Sequence, residues 1–462
     1  MSSDPVLAVS GPTRGAVPGR DGSWPTIASL LAHLELQLRV LHRPSQRAVC
    51  RTHLHIPFDT QDVAVSNSDW RFAFRSPNAR LRWALGCTDA CPVTSIALLQ
   101  HGDALQPDPQ ALATIEAWLS RQQTTLDVVA VAGFPQRDAA GHVQVPLRVW
   151  LPRLWLTAGE PLGVAVVLDR RGEEGELIAE ITNLLHGLQP MLPSEPPQAC
   201  LSSGGDAPVA AALQRLQDPA LAKLVVGVPR HWPTPQSPRA VEQRVVQQQA
   251  TAWICSFSTQ LLGDATPRQV VCASPELLVR TAGEHIETLA LAGTLAAGQP
   301  VAEHLQREHQ LVVDYLGDTL QGIGIEVEVG KRQLREAGPL LHLATPLRGR
   351  RPPGLDALTA ALHLHPTPAL LGLPRPVALA TVNELEVEPR GWYGGFAGIV
   401  SGSGSGEGEF AVLLRGAEFL GEGWRSWAGA GLVATSTSAE EHAEIRNKHN
   451  AIGRMLGLAG VP

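Results

Sequence analysis

Residues 392–450 read WYGGFAGIVSGSGSGEGEFAVLLRGAEFLGEGWRSWAGAGLVATSTSAEEHAEIRNKHN. Three apolar and aromatic runs, WYGGFAGIVSG at 392–402, EFAVLLRGAEF at 409–419 and WRSWAGAGLVA at 424–434, are separated by stretches dense in Gly and Ser, the pattern of strands joined by turns. The Gly-rich stretch SGSGSGEGEF at 401–410 lacks the Lys-Ser/Thr ending of a phosphate-binding loop and runs into a strand, so it reads as a hairpin turn. Beyond the third strand the period changes. Ser436, Thr437 or Ser438 can cap a helix that the spacing predicts over 439–457. Strands that follow one another without alternating helices disfavour a doubly wound nucleotide-binding architecture. They predict an α+β fold with large, mainly antiparallel sheets.

Working outward, VEQRVVQQQATAWICSFST at 241–259, RQVVCASPELLVRT at 268–281 and HIETLALAGT at 285–294 read as further strands, with helices near 302–322 and 355–362. Towards the N-terminus, TIASLLAHLELQL and PQALATIEAWLSRQ have helical spacing, as does GEEGELIAEITNLLHGLQP, and DVVAVAGF and VQVPLRVWL read as strands. The Pro-, Ser- and Gly-rich MLPSEPPQACLSSGGDAP at 191–208 marks the internal boundary. Residues 1–25 are expected to be a mobile leader, 26–195 the N-terminal part of the fold, and 200–462 the core that carries the chemistry.

Composition narrows the class. The chain has 462 residues, 44% hydrophobic and 18% charged, with 44 Gly and 37 Pro, as expected for a turn-rich globular protein. A net charge of −7 argues against binding nucleic acid through bulk positive charge. No secretory stretch and no apolar run long enough to span a bilayer is present, and the six cysteines are sparse, so a cytoplasmic location is expected. Cys87 and Cys91 form a C-x3-C pair without further ligands nearby, which reads as packing rather than a zinc site. Lysine is used only at Lys223, Lys331 and Lys448. Arginine replaces lysine well on a surface, but it cannot do the work of an amine that must give up its proton.

On the last helix, Glu441, Glu444 and Lys448 stand at i, i+3 and i+7 and share one face. The preceding AGAGLVATSTS lets backbone amides approach a ligand closely. Two carboxylates and an ammonium beside exposed amides suit an anion bridged by Mg²⁺, which takes hard oxygen ligands, with Glu308 as an opposing carboxylate.

From about residue 200 onward the order of segments resembles the chorismate-utilising enzyme family. The matching pieces are AKLVV at 222–226, SPELLVR at 274–280, LALAGT at 289–294, REHQLVVD at 307–314 and LLHLATPLRG at 340–349. They continue with LHPTPALLGLP at 364–374, RGWYGGFAGIV at 390–400, FAVLLR at 410–415, AGAGLV at 428–433 and EEHAEIRNKH at 440–449. The resemblance implies two large sheets packed face to face with helices outside. It also implies that Lys223 activates water as general base, that Glu276 protonates the departing hydroxyl, and that Glu308 and Glu444 hold Mg²⁺, with Glu441 as a direct ligand or one step removed. Thr294, His342, Thr367, Arg415, the Gly431 backbone and Lys448 correspond to substrate contacts, chiefly to carboxylates, and Tyr393 to the pocket wall. After Lys223 this chain runs KLVVGVPR, so Arg230 lies two positions from the family's arginine.

Within the family, branches that use ammonia typically show P-I-A-G-T or P-I-K-G-T where this chain has LALAGT, and F-P-x-G-T-x-S-G-A-P-K where it has LHPTPALLGLP. Both departures imply water as nucleophile and conversion of chorismate to isochorismate. A monomer with no glutaminase subunit is then expected. Salicylate synthesis, the ammonia-using reactions making anthranilate or aminodeoxychorismate, and a silent chorismate-binding subunit are the alternatives. A lysine serving as base must be buried to shed its proton near neutral pH, and a glutamate serving as acid needs an apolar wall to keep one.

Overall fold

The computed structural model describes residues 71–158, 162–169, 174–186, 189–190 and 207–458, except 123, 139, 235, 260–267, 297, 299, 338–339 and 422; before residue 71 it describes 7–8, 23–24, 27–40, 47–54 and 63–64. Most of the leader expected at 1–25 and most of the boundary at 191–208 lie outside the described residues.

Among the described residues the strands form two thirteen-stranded sheets and a two-stranded pair. Every pairing beyond residue 55 is antiparallel, and the parallel ones are short pairings onto Arg47–Leu54. Both sheets mix strands from the two halves of the chain. Arg71–Arg75 pairs with Trp253–Thr259 in the first, and Asp127–Ala132 pairs with Phe396–Ser401 in the second. The largest apolar cluster joins the two sheets, and Phe72 of the first meets Trp150 of the second edge to face, ring centroids 6.3 Å apart. The architecture is therefore the α+β arrangement of large antiparallel sheets. No helix among the described residues is long and apolar enough to cross a membrane.

The predicted helices form at Glu303–Gly322, Ala357–Leu364 and Ser438–Met455, the last capped by Thr437, whose side chain accepts from the Glu440 amide. Three segments depart from the sequence reading. VEQRVVQQ, which reads as strand, is part of the helix Pro238–Gln248; Ser237 caps it, Pro238 occupies the first turn, and Val241 and Val245 bury one face. Its Val-rich composition hid the cap.

The other two departures build the site. RQVVCASPELLVRT is two strands: Arg268–Ser274 in the first sheet and Leu277–Ala282 in the second. Pro275 has no amide to give to a ladder, and the chain changes sheets there, with the Glu276 amide turned onto Ser274 Oγ at 3.2 Å. EFAVLLRGAEF divides in the same way into Gly408–Val412 of the second sheet and Gly416–Phe419 of the first. Arg415 stands at that break with φ of 52°, a left-handed backbone that only packing around it can hold.

Candidate active site

The two crossovers face a cleft of about 630 Å³. Glu276 reaches it from one crossover and Arg415 from the other; Glu308 comes from the helix Glu303–Gly322, and Glu444 and Lys448 from successive turns of Ser438–Met455. Thr294 and His342 are cross-strand partners on the second sheet, and Tyr393 lines the wall stacked against Trp427, centroids 6.0 Å apart. A bulge beside Thr294 places Gly293 at φ of 74°, where a Cβ would press on the Leu305 carbonyl, so glycine lets the Glu308 helix approach the sheet.

Four of the expected residues do not line this cleft. Lys223 is fully buried at the start of Lys223–Trp232, its Nζ 3.0 Å from Glu308 Oε1 and behind that carboxylate, without a hydrogen bond. Gly431 borders the same pair: a Cβ there would collide with Glu308 Oε1 and stand 3.3 Å from Lys223 Cε. Thr367 is buried, with its hydroxyl unpartnered and its carbonyl accepting from the Leu370 and Leu371 amides. Glu441 lines an adjoining acidic cleft that shares Thr294 and Glu444 with the first. Arg230 lies over Trp232 and is not part of the wall.

The hydrogen bonds dictate one proton arrangement. Arg415 Nη2 can only donate, so His342 Nε2, 3.2 Å away, accepts. Burial, and then the charges of Arg415 and Lys448, hold the His342 pKa well below its ordinary value, so the ring is neutral and its proton sits on Nδ1. Nδ1 faces Thr294 Oγ1 at 3.3 Å, and that hydroxyl donates to Glu444 Oε1 at 2.8 Å. Lys448 Nζ completes the chain, 2.5 Å from Glu444 Oε1 and 2.6 Å from the Gly429 carbonyl.

Two carboxyl groups of the site are perturbed upward. Burial pushes Glu276 to about 8, with the charges of Lys223 and Lys448 opposing, so the group carries a proton at neutral pH. Glu441 also rises to about 8, chiefly by burial and then by repulsion from Glu444, with a smaller contribution from Glu308. Among the described residues no three His, Cys, Asp or Glu side chains converge closely enough to enclose a metal ion. The reason is visible: Glu308 is drawn to Lys223, and Glu444 to Lys448 and Thr294.

The sequence reading missed the apolar wall of Val225, Leu291, Leu370, Trp427 and Ile452. Alternation in KLVVGV would have placed Val225 on the same face as Lys223, but nothing local distinguishes Leu370 or Ile452 from ordinary core.

Comparisons with known proteins identify the family and the fold. A family model described as chorismate binding enzyme matches residues 205–457. The isochorismate synthase EntC of Escherichia coli is 36% identical over 200 residues, 40% of this chain and 50% of that protein. Anthranilate synthase component 1 of Streptomyces coelicolor is 35% identical over 201 residues, covering 40% and 39% of the two chains. The chain thus spans about half the length of the curated relatives it matches. In fold it is similar to the menaquinone-specific isochorismate synthase MenF of Escherichia coli, with a TM-score of 0.72, 21% identity and coverage of 93% and 99%. The family match spans more than half of the sequence and contains every residue placed around the cleft, and this chain belongs to the chorismate-binding enzyme family.

Proposed function

We propose that the protein is an isochorismate synthase: it adds water at C2 of chorismate and expels the C4 hydroxyl with a shift of the ring double bonds. The observation that carries this reading is the pairing of a fully buried amine, Lys223, with a buried carboxyl held protonated, Glu276, each within the other's field. Ammonia is nucleophilic as it arrives, whereas water needs a base, so an amine buried at this position favours hydration over amination. Lys223, paired with Glu308 at rest, must first give up its own proton and then takes one from the attacking water. Glu276 delivers its proton to the C4 oxygen, which leaves as a second water, so protons and electrons balance. Arg415, fixed by neutral His342, and Lys448 suit the two substrate carboxylates, and Tyr393 on Trp427 provides a flat wall for the ring.

The donor set suits Mg²⁺. Glu308, Glu444 and Glu441 are hard oxygen donors, and the repulsion from Glu444 that adds to burial in raising Glu441 is what a dication would relieve. When bound, such a cation neutralises the ring carboxylate and favours charge movement towards it. Glu308 has a second role, since its carboxylate is also the counter-ion of Lys223. Excess chelator is expected to abolish turnover, with added Mg²⁺ restoring it, and Glu308→Gln or Glu444→Gln should raise the Mg²⁺ concentration needed for half-maximal rate. Full activity in chelator contradicts the metal assignment.

Gly431→Ala is expected to displace the Glu308 carboxylate from its place beside Lys223, because the added methyl needs that space. A misplacement of this size lowers kcat by about 10²-fold, and the melting temperature falls as well because the buried pair with Lys223 is disturbed; an undiminished rate would remove Gly431 from the site. Chromatography of the products of chorismate, Mg²⁺ and the protein tests the whole reading. Isochorismate as the main product supports it. Salicylate with pyruvate, anthranilate on addition of ammonia, or unchanged chorismate would each replace it with another member of the family's repertoire.

A further inference from the structure

A second cleft, of about 960 Å³, adjoins the first and shares Pro275, Arg415 and Ile452 with it. Its walls carry Arg335, Arg415 and Arg454 against a single acidic residue, Glu336. Among the described residues neither Arg335 nor Arg454 is paired with a carboxylate. Arg335 is half-buried, its guanidinium 5.4 Å from the centre of the Trp253 ring, which leaves its donors free. Desolvation by burial lowers its pKa. The adjoining cleft that shares Thr294 and Glu444 with the site has the opposite character: Glu440, Glu441 and Glu444 line it, with no lysine or arginine among the described residues.

We propose that the arginine-lined cleft is the approach subsite for the anionic substrate, in which a carboxylate is first met by Arg335 and Arg454 and then passed to Arg415 at the shared wall. This rests on the proposed function for the substrate's charge. The chain as a whole carries −7, so a dianion approaching it is repelled unless a local positive path exists. The acidic cleft would oppose a dianion with the carboxylates of Glu440 and Glu444, whereas the arginine cleft offers net positive charge leading to Arg415, whose side chain already bridges to His342 in the reaction cleft. Gln248, Gln249 and Thr251 add neutral polar groups to the rim, consistent with a wet passage rather than a packed contact.

The test is the association rate of chorismate, followed by stopped-flow quenching of tryptophan fluorescence in chelator, since Trp427 lies in the reaction cleft wall. The double variant Arg335→Gln/Arg454→Gln is expected to associate about tenfold more slowly than the natural protein at low ionic strength, and the gap should close as salt screens the charges. Arg335→Lys/Arg454→Lys should retain the natural rate, because steering depends on charge rather than on the guanidinium fork. Equal rates for the natural protein and the glutamine variant at low salt would overturn the proposal, as would slow association of the lysine variant. Because association is measured without turnover, a protein that binds chorismate by this route yet forms no isochorismate would sink the proposed activity and leave the subsite standing.

Discussion

Glu276→Gln is expected to lower isochorismate formation by about 10²- to 10⁴-fold, the usual worth of a positioned proton donor, while chorismate still binds. Glutamine keeps the shape of the side chain and removes only the proton. In the natural protein the carboxyl is raised from its ordinary 4.5 to about 8, first by burial. The acid is therefore in its working form at neutral pH, and the rate should fall as the pH rises through about 8. Stability follows the same sign. A carboxyl raised on folding contributes stability fully present below its ordinary pKa and lost as the pH passes through its folded value, because the unfolded chain then releases the proton more readily. The variant should lose that stretch of pH dependence, between about 4.5 and 8, in its melting temperature. A variant with unchanged rate and an unchanged alkaline limb would remove Glu276 from the chemistry.

Lys223→Arg is the second large effect: loss of turnover by about 10²- to 10⁴-fold, since a guanidinium retains the charge but gives up no proton near neutral pH. Retaining the charge matters for interpretation. Lys223→Gln would leave the buried Glu308 carboxylate without its counter-ion, a loss of about 3–5 kcal/mol in stability, and its inactivity would be ambiguous. The arginine variant should melt closer to the natural protein than the glutamine variant does. Near-normal turnover of Lys223→Arg would exclude Lys223 as the base.

The readability of this chain from sequence followed the range of the forces involved. Helix starts such as Thr437 and strand runs such as DVVAVAGF depend on neighbours a few residues apart, and they lie where local pattern placed them. What local pattern could not show was that single apolar runs divide between two sheets. RQVVCASPELLVRT and EFAVLLRGAEF each look continuous, yet Pro275 and Arg415 end one strand and begin another in the opposite sheet. These breaks bring Glu276 and Arg415 into the cleft. Glu441, Glu444 and Lys448 were recognisable from helix spacing and Lys223 from the rarity of lysine, whereas Glu276 and Arg415 came only through the family resemblance, and how these groups pair was not legible. Glu308 with Lys223, and Glu444 with Lys448 and Thr294, depend on contacts between elements far apart in sequence or on the exact pose of long side chains. Thr367 and Glu441 show the same limit, because burial behind or beside the cleft is a property of the assembled sheets.

The central claim is that a water molecule, deprotonated by Lys223, supplies the new hydroxyl while Glu276 releases the old one. Running the reaction in H₂¹⁸O with Mg²⁺ and analysing isochorismate by mass spectrometry tests it directly. One ¹⁸O per product molecule is expected, located at C2, with recovered chorismate that has turned over only in the forward direction unlabelled. Isochorismate that retains the original oxygen would mean that the hydroxyl migrates within the substrate, and neither side chain would have the role assigned to it.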